Sequence, residues 1–365
     1  MDVDDNPFRG AGLPIEGIAE QRRLRVDPTD AQALLARCPV HAPTPLLTLP
    51  RLAERSGVGK LDVKDERARM GLGSFKALGA GYVIARMATD RMDRPDHQAS
   101  VEELAVALEG TVFACASAGN HGMSVAAAAA VFGAEARVYL SETVPEAFAG
   151  RLRERGATVV RAGGDYEASM AAAQQDARDH GWVLLSDSSW PGYLDVPARV
   201  MKGYLVMAAE MVEAIEPPPT HVVVQAGVGG LAAAVTALVR ERWGDGPTVV
   251  VVEPSRAPAL QASIRAGRPV AAPGPASSMG RLDCKEPSIL ALDELARAAD
   301  AFVTISDDEV QATVELLRAH GIDTTPSGAA GVAVLHHADG HRDALGLDAD
   351  SHVVAIITES LEHTS

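Results

Sequence analysis

The chain has 365 residues, 47% of them hydrophobic and 4% aromatic, enough apolar material for a sizeable core and a length that suits two domains or one α/β unit with an inserted lobe. A formal net charge of −16 argues against a nucleic-acid partner, whose phosphates call for basic surface. Cys38, Cys115 and Cys284 lie far apart without C-x-x-C spacing, so neither a disulfide frame nor a zinc site is implied. No apolar run reaches the ~18 residues that cross a bilayer, and the acidic start (Asp2, Asp4, Asp5) has no signal-peptide stretch, so a cytoplasmic protein is expected.

In chain order, residues 1–40 read as irregular, turning helical near 30–37. Pro43-Thr-Pro45 turns the chain into the segment 46–49. Residues 61–64 read as a strand, and 75–87 as a helix begun by Ser74, a good N-cap residue. A βα rhythm follows: strands at 112–116, 136–140, 158–160 and 183–185 alternate with helices at 120–132, 146–155 and 166–180. A long helix at 197–214, a strand at 221–225, a helix at 230–243 and a strand at 248–252 come next. A strand at 302–305, helices at 307–320 and 327–336 and a strand at 352–357 end the series. Apolar strands alternating with helices of ten or more residues predict an α/β fold of parallel sheets covered on both faces.

Three segments carry chemistry. Gly71-Leu-Gly-Ser-Phe-Lys76 puts a lysine in the first turn of a helix, where burial and the helix dipole disfavour the ammonium and free an amine for imine formation. Ser117-Ala-Gly-Asn-His-Gly122 links a strand to a helix N-terminus, where unpaired N–H groups grip an anion such as a substrate carboxylate; an ordinary turn capped by Asn120 reads equally well. Gly227-Val-Gly-Gly230 follows a strand and opens a helix, as a phosphate cradle does. Gly227-x-Gly229-x-x-Ala232 with Glu253 further on also satisfies a dinucleotide fingerprint, which leaves Lys76 and the Asn120 loop unexplained.

Taken together with Asn6-Pro-Phe-Arg9, Ala42-Pro-Thr-Pro-Leu46, Val63-Lys-Asp-Glu66, Gly192-Tyr193, Val252-Glu-Pro254, Cys284-x-Glu-Pro287 and Ser327-Gly-Ala329, these segments resemble the tryptophan-synthase-β group of pyridoxal-phosphate enzymes, fold type II, and within it the diaminopropionate ammonia-lyases. The resemblance spans nearly the whole chain. It implies two open, mostly parallel twisted sheets flanked by helices, with a smaller domain (80–188) inserted in a larger, cofactor-binding one (1–79 and 189–365). It implies a homodimer and pyridoxal 5'-phosphate as cofactor, with no metal. Lys76 then matches the imine-forming lysine and base, Asn120 the partner of the cofactor's phenolic oxygen, and Gly227, Val228, Gly229 and Gly230 the phosphate loop. Thr358, with Ser327 as second candidate, matches the hydroxyl beside the pyridine nitrogen. Asp187 matches an active-site acid, and Ser117, Ala118, Gly119 and His121 the substrate-carboxylate loop.

One departure bears on stereochemistry. Ala118 stands where the ammonia-lyase pattern has an aspartate, the second base that admits a D-isomer, and alanine cannot move a proton. The expectation is therefore one-faced α,β-elimination by Lys76 on an L-β-substituted amino acid, 2,3-diaminopropionate-like or a hydroxy amino acid, yielding a 2-oxo acid and ammonia. The alternative is β-replacement in a specialised biosynthetic pathway. Thr358-Glu-Ser-Leu361 also departs from the family's Thr-Glu-Gly. Lys64, Asp65 and Glu66 read as an ion-pair frame beneath Lys76 or as direct participants, His121 as a packing residue rather than a base, and 267–287 as a lid or a surface loop.

Overall fold

The computed structural model describes residues 1–18, 24–92 and 99–361. Its strands are β1 (Asp2–Asp5), β2 (Leu46–Thr48), β3 (Lys60–Asp65), β4 (Val112–Ala116), β5 (Glu135–Leu140), β6 (Thr158–Arg161), β7 (Val183–Leu184), β8 (His221–Gln225), β9 (Thr248–Pro254), β10 (Ala301–Ile305) and β11 (His352–Ile357). Seven form one sheet in the order β1-β10-β9-β8-β11-β3-β2, and four form a second, β6-β5-β4-β7. Only the edge strands β1 and β2 run antiparallel; every other pairing in both sheets is parallel. The central strands are unbroken apolar runs such as Val222-Val-Val224 and Val249-Val-Val-Val252, buried on both faces, as helix-covered parallel sheets require. All four strands of the smaller sheet lie between β3 and β8 in sequence.

In open α/β sheets ligands bind beyond the carboxyl ends of the strands. Here β3 leads through a short 3-10 segment (Glu66–Gly71) to the helix Lys76–Asp90, β4 leads to Ser117–Asn120, β7 to Asp187, β8 to Gly227 and β11 to Thr358. Every chemistry-bearing segment of the sequence thus follows the carboxyl end of a strand.

Two features fix the approach to this region. The helix Lys76–Asp90 crosses the helix Asp195–Glu213 through paired glycines: a Cβ at Gly203 would stand 2.5 Å from the Leu78 carbonyl oxygen, and one at Gly79 would stand 2.7 Å from the Tyr204 ring. Beneath it lies a buried ionic quartet. Lys64 Nζ donates to Glu210 Oε2 (2.6 Å) and the Thr44 carbonyl (2.6 Å). Arg69 donates to Glu66 (2.7 and 2.8 Å) and to Glu210 (2.9 and 2.7 Å). Two cations and two carboxylates balance, and the charges are hydrogen-bonded, which is the condition for holding them away from water. Lys64 and Glu66 are therefore a frame, and Asp65 is taken by Arg67.

The N-terminus differs from its irregular reading. Residues 2–5 pair with β10; Asp2 and Asp4 turn outward to Arg265 (2.5 Å each), while Val3 packs on the core. Its acidic alternation reads as solvated sequence, but pairing with β10, the Arg265 contacts and the packing of Met1 and Val3 dock it. Asn6 then donates to the carbonyls of Ala296 (2.9 Å) and Ala299 (2.7 Å) at the end of the helix Ile289–Ala298, and Arg9 pairs with Asp300 at 3.0 Å. The Asn-Pro-Phe-Arg signature is thus a structural strap. Asn6→Ala leaves two buried carbonyls short of a donor and is expected to lower unfolding free energy by about 1–3 kcal/mol; a urea midpoint shifted at unchanged m-value checks it.

Candidate active site

Lys76 is the first residue of its helix, and its N–H donates to Ser74 Oγ at 3.3 Å. Its Nζ points between the Phe75 and Tyr204 rings, 5.3 and 5.8 Å from their centroids, and forms an ion pair with Asp187 Oδ2. The two side chains keep only 20% and 18% of their surface exposed. Burial alone would lower the lysine and raise the aspartate; their mutual attraction outweighs it, so the ammonium is held well above its ordinary range and the carboxyl well below. The sequence reading expected a lysine pushed down toward the free amine. In this state it is instead charged, because Asp187 stands against it.

His121 stands near the same carboxylate from the helix Asn120–Val131. Its Nε2 lies 2.8 Å from the Leu185 carbonyl, and its Nδ1 stands 4.0 Å from Asp187 Oδ2 without a hydrogen-bond partner. Gly119 occupies the N-cap position and Asn120 is the first helical residue, so Asn120 is not the cap. Its carboxamide instead donates to the buried Glu359, which also accepts from Thr325 Oγ1 and from Arg281 at 3.3 Å. Ser117 Oγ accepts from the Gly119 N–H at 3.3 Å, and a Cβ on Gly122 would stand 2.7 Å from the Ser117 carbonyl, so the loop is tight. Ala118 is exposed at its tip.

The glycine loop faces this cluster. A Cβ at Gly227 would come within 3.0 Å of Cys284 Sγ, Gly229 has φ +101°, and a Cβ at Gly230 would stand 3.9 Å from the Asp187 carbonyl oxygen. Gly227 and Gly229 leave little or no room for a side chain, and the helix Gly230–Trp243 begins at that point, so its free N–H groups line the cradle. Cys284 packs against the cradle, its thiol pushed up to about 12 by burial and by Asp187. At the floor, Gln225 Nε2 lies 3.4 Å from Thr358 Oγ1 and donates to the Ile356 carbonyl at 3.0 Å; Ser327 Oγ accepts from the Arg281 N–H at 3.1 Å. A glycine-rich anion cradle at a helix N-terminus, one recessed lysine and two buried hydroxyls, Thr358 and Ser327, fit pyridoxal phosphate.

The dinucleotide reading fails on Glu253. Its carboxylate accepts the Leu260 and Gln261 N–H groups, both at 2.8 Å, at the start of the helix Ala259–Ala266, and is buried there, out of reach of a ribose. Sequence reasoning missed three participants: Tyr204 over Lys76, and Glu359 and Arg281 holding Asn120. Their partners lie far away in sequence, and only the buried charge of Glu359 within Thr358-Glu-Ser360 could have pointed to one of them.

The Lys76–Asp187 pair sets a pH signature. A depressed carboxyl contributes stability that is complete above its unfolded value and is lost as pH falls below ~4. A raised lysine contributes stability that persists below ~10.4 and is lost only above it. Asp187→Asn in the cofactor-free protein should therefore cost ~3 kcal/mol, the low end for breaking a buried pair. That cost should be flat from pH 5 to 9 and shrink below pH 4; denaturation series of both proteins across that range test it.

Residues 38–359 match the model of a family described as pyridoxal-phosphate dependent enzyme. The chain is 33% identical over 348 residues to the diaminopropionate ammonia-lyase of Salmonella typhimurium, covering 88% of this chain and 86% of that one. The fold superposes with a TM-score of 0.88 and 30% identity on a crystal structure of diaminopropionate ammonia lyase from Escherichia coli in complex with D-serine, over 98% of this chain and 93% of that one. A structure of the same enzyme with an aminoacrylate-PLP azomethine reaction intermediate matches at 0.86, with the same identity and coverage. Among the described residues no helix is long and apolar enough to cross a membrane, and no group of three or more His, Cys, Asp or Glu could hold a metal ion. The chain belongs to the family of pyridoxal-phosphate dependent enzymes, with the fold type II architecture shared by its ammonia-lyases.

Proposed function

We propose that this protein catalyses α,β-elimination on the L-isomer of a β-substituted amino acid, 2,3-diaminopropionate or a 3-hydroxy amino acid, releasing a 2-oxo acid and ammonia. The observation that carries the reading is the Lys76–Asp187 pair, set between the glycine cradle and the Ser117–Asn120 loop. When bound, pyridoxal phosphate joins the substrate's amine and draws electrons from its α-carbon, which makes the α-proton acidic.

The chain's own residues then divide the work. Gly227, Val228, Gly229 and Gly230 hold the phosphate by backbone N–H groups. Asn120 presents its carboxamide to the ring oxygen, kept in place by Glu359. Thr358, or Ser327, sets a hydroxyl beside the ring nitrogen. The substrate carboxylate lies on Ser117, Ala118, Gly119 and His121. Lys76, once neutral, removes the α-proton, and Asp187 protonates the departing β-group. The proposal includes a cytoplasmic homodimer and two lobes, 1–79 with 189–365 and 80–188. It draws support from the resemblance and from a second sheet whose strands all fall within 112–184.

Ala118 fixes the stereochemistry. The tip of the carboxylate loop offers a methyl group and no base, so one face of the substrate is served, by Lys76 alone. The L-isomer of diaminopropionate should be turned over and the D-isomer left untouched, measured as 2-oxo acid and ammonia with serine, threonine and threo-3-hydroxyaspartate alongside. Turnover of the D-isomer would overturn the role of Ala118. Oxo acid that disappears when a thiol or amine is supplied would transfer the assignment to β-replacement. Ala118→Asp should add D-isomer turnover at no more than a tenfold loss with the L-isomer.

A further inference from the structure

Resting on that reading, the geometry raises a question about a proton. Lys76 must be neutral both to join the cofactor and to take an α-proton, yet the structure holds it as an ammonium against Asp187. Withdrawing that ammonium leaves a carboxylate in a recessed site, at a cost that a second cation must offset.

His121 is placed for this. Its Nε2 is fixed on the Leu185 carbonyl at 2.8 Å, which assigns that nitrogen the hydrogen and leaves Nδ1 as the accepting atom. Nδ1 is buried, makes no hydrogen bond, and stands 4.0 Å from Asp187 Oδ2, the same oxygen that holds Lys76. A ring movement of ~1 Å would bring it to hydrogen-bond distance. The other titratable groups that face Asp187 are Cys115, Cys284, Tyr166, Tyr193 and Tyr204, from the neighbouring strand, loops and helices. Burial, together with the Asp187 charge that all five feel, the half-exposed Tyr166 included, pushes them upward, so they stay uncharged near neutral pH. His121 alone among these groups can supply a positive charge when Lys76 gives up its own.

We propose that His121 stores the proton Lys76 must shed, received through Asp187, and returns it by the same route to the departing β-group. The proton passes from Lys76 Nζ to Asp187 Oδ2 to His121 Nδ1, with no net change of charge. Lys76 then takes the α-proton; the electron pair of that C–H bond forms the new double bond, and the β-group leaves with the pair of its own bond. The leaving group takes the stored proton and departs as neutral ammonia or water. Lys76 ends protonated beside Asp187 and His121 ends neutral, ready for the next round. His121 reaches the reacting atoms through Asp187 and is a positioning residue in that sense.

His121→Gln keeps a donor for the Leu185 carbonyl and removes the protonatable nitrogen. In the cofactor-loaded protein the pH at which the visible band changes should rise by roughly one unit, because losing a cation beside Asp187 favours the protonated form of the nearby nitrogen. Turnover should fall on the order of 10²-fold, most at the alkaline end. An unchanged band midpoint, with turnover lowered equally at every pH, is the packing outcome and overturns the proposal. The nitrogen resonances of the wild-type His121 ring give a check that needs no variant: loading with pyridoxal phosphate should move them to the doubly protonated pattern, and no movement contradicts the storage role. The band midpoint and the ring resonances are read without any substrate, so the lyase reading can fail on oxo-acid formation while His121 stands, and the reverse.

Discussion

The ion pair between Lys76 and Asp187 is the interaction on which the rest of the site depends. A recessed pair of this kind is weak evidence of stability, since apolar side chains of similar size in its place often serve as well, even though removing one partner alone is costly. Its value is chemical. It parks the lysine in a form that cannot react, with a partner that has a second titratable neighbour, His121, 4.0 Å away. The site therefore holds one more proton position than the chemistry of Lys76 alone would need, and every step that neutralises the lysine must answer to Asp187.

The fold delivers this arrangement by a simple rule. Parallel strands all end on one side, and here β3, β4, β7, β8 and β11 bring a lysine helix, the Ser117–Asn120 loop, an acid, a glycine cradle and a hydroxyl to that side from two sheets. Close approach is set by absent side chains: Gly79 and Gly203 let two helices touch and seat Tyr204 over Lys76, and Gly227 leaves room beside Cys284. Beneath them the quartet of Lys64, Glu66, Arg69 and Glu210 ties β3 to the helix Asp195–Glu213, so the lysine helix rests on a charge-balanced floor.

Most of the α/β rhythm was legible because apolar strands and amphipathic helices announce themselves locally. The same holds for Lys76, the Asn120 loop and the glycine loop, whose residue types are few and whose positions after strands are constrained. What was not legible depends on contacts distant in sequence. β1 looked like solvated acid because its pairing with β10 and its Arg265 partner lie some 260 residues away or more. The alternative of a helix cap stayed open for Asn120 because Glu359, which its carboxamide meets, sits 239 residues on. The charge state of Lys76 was read from its helix position, whereas Asp187, 111 residues away, decides it. Residues 267–287, expected as a lid or a loop, hold Met279 fully buried and place Cys284 on the cradle, so that segment is a wall of the site.

The central claim is that Lys76 is the covalent anchor of the cofactor. Borohydride reduction of the coloured protein, followed by digestion and mass mapping, fixes the pyridoxyl group on whichever lysine carries it. The account predicts a single modified peptide containing Lys76, absent from Lys76→Arg. Label on Lys64 or Lys285, or a coloured protein with no reducible lysine, would contradict it.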